Sequence, residues 1–412
     1  MTQEAWRRRI RQRVQGPVHR FHLACPPGFE AEAAAECRES GLQDPEIAEA
    51  GTLVLAGRLA DGWRACLSLS CVNRVRVEVG QGRAGAPEEA FRLALAVPWE
   101  AWLPAGHPLI VHATNRRSRM FGSGFLDRVV RDAVDRRFRE CGLPGPSWKS
   151  SGVGLRDGEP DGEEEGREEA PVPDTLVARL ADNRLTLMLD LGGEPLHRRG
   201  LRLRVSRAPI RETLVAVLLR RAGWSPGQAL VEGFAGDAPF VAEAAARDRG
   251  LPPGRLRRFA FQAWPSFRPA AFRHLREKAE ARCLPSARSR LVAIDRSPEA
   301  LDRALEHLER AGVAGDVLRV QADFLEWCPP GDLAPGLLCL NPPYGIRLGL
   351  QDSPGFFRDL GFALRSRWRA WRVLVVCPSA AHAEALDLPR ARRFPLPHGG
   401  LPAVGVLSIP EP

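Results

Sequence analysis

Apolar residues recur along this chain with two periods, and the architecture should change where the period changes. Beyond Pro26, Pro27 and Gly28, the stretch from Glu30 reads as a helix with Gly41 as its stop. Leu109 to Ala113 is a short apolar run predicted as a strand, and Asn115 to Gly124 follows as an Arg-rich, Gly-containing loop. Phe125, Leu126, Val129, Val130, Ala133, Val134 and Phe138 then fall at helical spacing, with Arg128, Arg131, Arg136 and Arg139 off that stripe. A basic loop therefore feeds an amphipathic helix. Thr175 to Leu191 alternates apolar and polar positions, as the two strands of a hairpin do.

From about Ala208 the pattern becomes helices alternating with short apolar runs. Helices are predicted over Glu212–Arg221, Phe240–Arg249 and Pro298–Arg310, and strands over Gln228–Glu232, Leu291–Asp295, Leu337–Leu340 and Val373–Cys377. Such alternation implies a parallel sheet wound with helices, and ligands gather at the carboxyl ends of its strands.

Length and composition narrow the class. At 412 residues and 44% hydrophobic content the chain is expected to form two or three domains, each with its own core. Among the longest apolar runs, Leu214 to Leu219 has six residues, too short to cross a bilayer, so no membrane partner is expected. The basic start, Arg7 to Arg13, precedes no apolar segment with a cleavage site, so a cytoplasmic protein is expected. The nine cysteines form no C-x-x-C pair and no zinc spacing, which points to reduced thiols and no metal.

Charge adds a partner. Of 59 basic residues only Lys149 and Lys278 are lysines, which leaves 57 arginines and a net charge of +9. A GC-rich coding sequence accounts for the arginine preference, while the positive balance favours a polyanion such as nucleic acid. Against that trend, Arg156 to Ala170 holds eight acidic residues among glycines and a proline, and it reads as an exposed loop.

Four constellations sit at the predicted strand ends. Asn341-Pro342-Pro343-Tyr344 follows the strand LLCL. Two successive prolines continue neither ladder nor helix, so they fix a rigid turn. The Asn341 side-chain oxygen and the Pro342 carbonyl can both accept from one planar NH₂ group, and Tyr344, the sole tyrosine, offers a face for a base. Asp295 closes a strand where nucleotide-type cofactors have their ribose hydroxyls held, and Ser297 and Pro298 suit the start of the next helix. Asp323 is placed to accept from an adenine amine, with Phe324 beside the ring. Leu230 to Ala245 is a strand and a glycine-containing turn opening into a helix, with no G-x-G-x-x-G and no G-x-x-x-x-G-K-[ST].

With these four in order, the chain resembles class I S-adenosylmethionine-dependent methyltransferases, and more closely the THUMP-domain RNA methyltransferases of the bacterial 23S rRNA guanine-N2 family. The likeness runs over nearly the whole length. Its stretches include ACPPGFEAEAAAECRESG, VHATNRRSRMFGSGFLDRVVRDAVDRRF, LDLGGEPLHRRGLR, RRFAFQAWPSF, NPPYGIRLG and PLPHGGLPAVGVLSI. The resemblance implies an α/β fold: a Rossmann-like class I methyltransferase domain with a seven-stranded, mostly parallel sheet, behind an N-terminal α+β THUMP and ferredoxin-like module. It divides the chain into a ferredoxin-like subdomain over 1–80, a THUMP-like RNA-binding domain over 81–192 and the methyltransferase domain over 193–412.

By the same likeness the turn at Glu232, Ala235 and Gly236 faces the methionine part of S-adenosylmethionine, and Asp295, Asp323 and Phe324 take its nucleoside. Ala208 and Pro209 lie where a helix start closes over the cofactor. Asn341, Pro342, Pro343 and Tyr344 position the target base, and Arg116, Arg117, Arg119 and Arg128 bind RNA backbone. The family turn reads approximately D-P-x-C/A-G-S-G-T, whereas here Glu232 to Pro239 reads EGFAGDAP. An added methyl and the Asp237 carboxylate bear on cofactor affinity in either direction. The family often carries a second methyltransferase domain, and since the sequence stops at Pro412 a second methylation is not expected. Two further readings stay open: an RNA-binding assembly protein with a degenerate cofactor site, and a DNA adenine-N6 methyltransferase using the same Asn-Pro-Pro-Tyr chemistry.

Overall fold

The computed structural model describes residues 8, 10–118, 122–150, 173–201, 210–342, 354–398 and 401–410. The N-terminal half runs β1 (His19–Ala24), α1 (Glu30–Glu39), β2 (Glu46–Glu49), β3 (Thr52–Gly57), α2 (Leu59–Ser68), β4 (Arg74–Arg83), α3 (Pro87–Ala96), α4 (Trp99–Trp102), β5 (Pro108–Arg116), α5 (Ser123–Glu140), β6 (Ser147–Trp148), β7 (Asp174–Ala181) and β8 (Arg184–Asp190). These strands form one eight-stranded sheet in the order β2-β3-β1-β4-β8-β7-β5-β6. β4 passes through residue 80, the expected subdomain boundary, so the two N-terminal subdomains share a strand and a sheet.

Register explains the one-sided core of this sheet. Phe21 pairs with Val77, Val77 with Leu189, Leu189 with Leu176, and Leu176 with Val111, so five strands present an apolar row to one face. The stripe predicted on α5 supplies Leu126, Val129, Val130, Ala133, Val134 and Phe138, all buried. The hairpin β7–β8 turns at Asp182 and Asn183, both with positive φ, the mirror-image turn that suits the right-handed twist of its strands. β5 runs to Arg116, beyond the Ala113 read from apolar content, because parallel pairing with β7 continues as far as Arg116 and Ala181. The arginine-rich loop accordingly begins after Arg116, not at Asn115. Arg156 to Ala170 lies outside the described residues.

The C-terminal half runs α6 (Glu212–Arg221), β9 (Leu230–Gly233), α7 (Pro239–Asp248), α8 (Pro269–Glu280), β10 (Leu291–Asp295), α9 (Pro298–Arg310), β11 (Val317–Gln321), β12 (Leu337–Leu340), α10 (Pro354–Arg367), β13 (Arg372–Cys377), α11 (Ala380–Ala385), β14 (Arg392–His398) and β15 (Leu401–Ser408). Its sheet has seven strands in the order β11-β10-β9-β12-β13-β15-β14. Only β15 runs against its neighbours. The inner strands β10, β12 and β13 are buried on both faces and read as apolar runs, as buried parallel strands do, whereas the edge strands β11 and β14 are largely exposed.

Residues 251–268, between α7 and α8, reach back onto the N-terminal half. Gly254 N–H donates to the Leu67 carbonyl and Phe261 N–H to that of Leu191, while Gln15 Nε2 donates to the Ser266 carbonyl. Trp264 Nε1 donates to Asp174 Oδ1 at 2.8 Å, and Arg257 holds the carbonyls of Glu194, Pro195 and Arg198. Phe261, Phe267 and Trp63 pack ring against ring within this seam. Outside this segment, Arg199 donates to the Ser70 carbonyl and Arg220 pairs with Glu36 across the two halves. No helix among the described residues is long and apolar enough to cross a membrane.

Candidate methyl-transfer site

Strand register brings the candidate residues together. Gly233 of β9 is level with Ile294 of β10 and with Leu340 of β12, so the next residue on each strand, Phe234, Asp295 and Asn341, stands at the same rim. The chain winds from β9 to β10 and β11 on one side and crosses to β12 and β13 on the other. A crevice at the carboxyl ends is the geometric result of that switch.

The turn after β9 is tightly determined. A Cβ on Gly233 would lie 2.4 Å from the Phe324 ring and 2.7 Å from Leu340, so only glycine fits beneath it. Phe234 and Ala238 take φ of 54°, a left-handed conformation that non-glycine residues rarely adopt, and Gly236 takes 55° with open space where a Cβ would stand. Ala238 thus caps α7 where the family pattern has its second glycine, and Pro239 opens the helix, where its missing N–H costs nothing.

The carboxylates around the turn have distinct surroundings. Asp295 Oδ2 accepts from Gly236 N–H at 2.9 Å and Oδ1 from Ser297 N–H at 3.0 Å, which leaves each oxygen a further lone pair. Ser297 caps α9 as its sequence suggested, its hydroxyl accepting from Ala300 N–H. Asp237, the departure from the family pattern, is buried and turned toward α9, where Arg303 Nε lies 3.2 Å from Oδ1 and His307 Nδ1 donates to its carbonyl. Its charge is therefore paired rather than directed at the crevice. Glu232 is fully buried, and its Oε2 accepts from Val241 N–H at 2.9 Å at the start of α7. Burial pushes its carboxyl up to about 8, the Phe240 and Val241 amides work against that shift, and Asp237 and Asp295 add to it.

Asp323 stands two residues beyond β11 and its Oδ1 accepts from Leu325 N–H at 2.8 Å. Phe324 is buried beneath Gly233 with Trp368 parallel to it at 5.7 Å, so that face of its ring is taken by the core. The half-buried ring nearest the rim is instead Phe234, 5.2 Å from Phe324 and 5.9 Å from Phe356. Sequence reading passed over Phe234, for which the position between two glycine-turn residues was the available signal. Arg303 and His307 were also passed over, since their partner lies 66 and 70 residues earlier.

On β12 the acceptor side is half visible. Among the described residues, Asn341 Oδ1 is buried and has no hydrogen-bond partner, and Pro342 is buried beside it. A buried amide oxygen left unpaired costs about 1–3 kcal/mol, and native proteins rarely retain one without a use. Pro343, Tyr344, Ala208, Pro209 and Arg119 lie outside the described residues. Arg116 is exposed at the end of β5, Arg128 is exposed on α5, and Arg117, at φ of 50°, donates to Asp182 at 3.0 Å. Among the described residues no group of three or more His, Cys, Asp or Glu is arranged to hold a metal.

Comparison with known proteins agrees with this layout. The profile of the UPF0020 family, described as the RMKL-like methyltransferase domain, matches residues 199–404, and that of the RlmL ferredoxin-like domain matches residues 20–76. A ribosomal RNA large subunit methyltransferase K/L of Marinobacter nauticus is 32% identical over 405 residues, covering 96% of this chain and 53% of its own. The chain thus spans about half the length of such relatives. A putative RNA methyltransferase of Synechocystis is 28% identical over 378 residues, covering 91% of this chain and 92% of its own. A putative methyltransferase solved in complex with SAH superposes with a TM-score of 0.80 at 21% identity, over 96% of this chain and 99% of its own, which establishes the fold.

Proposed function

Because the chain belongs to the UPF0020 family of RMKL-like methyltransferase domains, whose profile takes in half of its length, we propose that it methylates RNA from S-adenosylmethionine, on the N2 amine of a guanine in 23S rRNA. The observation that carries this reading is the unpartnered, buried Asn341 Oδ1, level with the Gly233 turn and Asp295. An acceptor placed there, with no donor among the described residues, suits an incoming N–H.

The cofactor fits the residues present. Asp295 keeps lone pairs for two ribose hydroxyls, Gly236 leaves open space beside it, and the Asp237 charge is held aside by Arg303. When bound, S-adenosylmethionine supplies a sulfonium methyl as the electrophile. The protein's part is placement. A guanine N2 is a poor nucleophile because its lone pair is delocalised into the ring. Asn341 Oδ1 accepts one N–H and the Pro342 carbonyl the other, which draws the nitrogen toward tetrahedral geometry with its lone pair directed at the methyl. Tyr344 receives the unstacked base. The nitrogen loses its extra proton once the new N–C bond has formed, so no strong base is needed. Glu232 keeps its own proton near neutral pH and stays outside the proton transfer. A cytoplasmic location accords with such a substrate.

The test is methyl transfer from labelled S-adenosylmethionine to unmodified 23S rRNA, read by mass spectrometry of nucleosides. N2-methylguanine is expected. Recovery of N6-methyladenine from DNA in preference would move the assignment to the adenine reading, and absence of any cofactor binding by calorimetry would leave an RNA-binding protein.

A further inference from the structure

The eight-stranded sheet has a second face. The register that sends Phe21, Val77, Leu189 and Leu176 to the core sends His22, Arg76 and Asp190 the other way in one row, and Arg20, Glu78, Met188, Val177 and His112 in the next. Beyond them come Gln81, Thr186, Arg179 and Thr114, then Arg83, Arg184, Ala181 and Arg116. Cross-strand contacts confirm the shared side: His22 Nε2 lies 3.1 Å from Glu78, Arg76 Nε 3.8 Å from Asp190, and Arg184 donates to Gln81 at 3.1 Å. Helices α1, α2, α3 and α5 pack on the apolar side, against residues such as Leu53, Trp63, Leu93 and Val111.

The balance on this helix-free face is basic. Six arginines, Arg20, Arg76, Arg83, Arg116, Arg179 and Arg184, stand on it, and a seventh, Arg74, is engaged by Asp190 and the Gly193 carbonyl. Against them are Glu46, Glu49, Glu78 and Asp190, and Glu49 already takes Arg179 with both oxygens. The surplus is felt locally. Half-buried His112 is pushed down to about 4, by burial first and then by Arg74 and Arg76, so it stays neutral at physiological pH. The sheet curls over this face, for Glu49 on β2 meets Arg179 on β7 although five strand positions separate them, so the exposed arginines Arg20, Arg83, Arg116 and Arg184 stand along its rim. Among the described residues its paired strand positions carry no Phe, Tyr or Trp, so they offer no stacking platform of the kind that sheets use to read single-stranded bases.

Resting on the reading of RNA as substrate, we propose that the helix-free face of the eight-stranded sheet docks the phosphate backbone of structured RNA. Arg20, Arg83, Arg116 and Arg184 make the outer contacts, and recognition is by charge and shape rather than by base. The outer face of α5, with Arg136 and Arg139, is not the principal contact.

The experiment compares R20E/R83E/R184E with R136E/R139E in the full chain. Each is titrated with a 23S rRNA transcript across a salt series, with melting curves to confirm folding and S-adenosylmethionine calorimetry alongside. The sheet variant should lose at least tenfold in RNA affinity, its log-log salt slope should fall by about 2–3, and its cofactor affinity should be unchanged, while the helix variant stays within about threefold. Loss in the helix variant alone, or equal proportional loss per reversed charge in both, the mark of net charge, overturns the sheet assignment while the RNA reading stands. A wild-type chain that binds no RNA at low salt overturns both.

Discussion

Among the described residues the eight-stranded sheet leaves one face without helices, whereas the inner strands of the seven-stranded sheet are covered on both faces and offer only their ends. In the first, alternation of side chains does the sorting, so charge accumulates over a broad surface and each arginine contributes a little. In the second, parallel strands buried on both sides leave polar groups only where chain direction forces an exit, and those few groups sit at one rim. One molecule therefore has two kinds of polar surface, one suited to diffuse attraction and one to placing individual atoms.

If that division holds, losses at the rim should be steep and specific. Asn341→Ala should lower kcat for methyl transfer by about 10²–10³ with S-adenosylmethionine affinity nearly unchanged, whereas the sheet-face variant should raise KM for RNA with kcat retained. Steady-state kinetics on one RNA preparation separates the two. An Asn341→Ala enzyme that lost RNA affinity instead would erase the distinction.

The next effect is on packing. Gly233→Ala drives a methyl into Phe324 and Leu340 and should cost about 1–3 kcal/mol in denaturant unfolding. Gly236→Ala meets open space and carries only the left-handed backbone cost, about 1 kcal/mol. The pair tells whether the turn is held from below by the core or merely by its own backbone.

The smallest effect is in pH. Each sheet conceals one carboxyl whose affinity for its proton is raised in the folded chain: Glu232 to about 8, and Asp174 to about 7, where burial outweighs the Trp264 hydrogen bond. A raised folded value means the stabilising contribution is full below the ordinary carboxylate range and is lost as pH rises through the folded value. Melting temperature should fall as pH rises from about 5 to about 8. Asp174→Asn should remove the part of the fall that ends near pH 7, and Glu232→Gln the part that ends near pH 8, each read by thermal melts.

Periodicity in the sequence sufficed for much of the C-terminal half. β10, β12, α6 and α9 lie where apolar runs and the Ser297-Pro298 cap put them, because buried parallel strands and capped helices depend on local composition. The site's skeleton was legible for the same reason, since Asp295 and Asn341 each end an apolar run. What escaped was set by distant partners. Arg303 neutralising Asp237, the core role of Phe324, and the seam made by residues 251–268 depend on contacts dozens to hundreds of residues away, and no local pattern encodes them. The extension of β5 to Arg116 likewise came from pairing with β7, which overrode the polar content of Thr114 to Arg116.

The seam of residues 251–268 has a consequence for how a target is chosen. With Gly254, Phe261 and Trp264 tying the two halves at separate points, the arginine-bearing sheet and the Asn341 rim stand at a set span, like the jaws of a caliper. Were the sheet to dock RNA as proposed, a nucleotide would be selected by how far it lies from the docked backbone, and a single unlettered ruler would replace the reading of neighbouring bases.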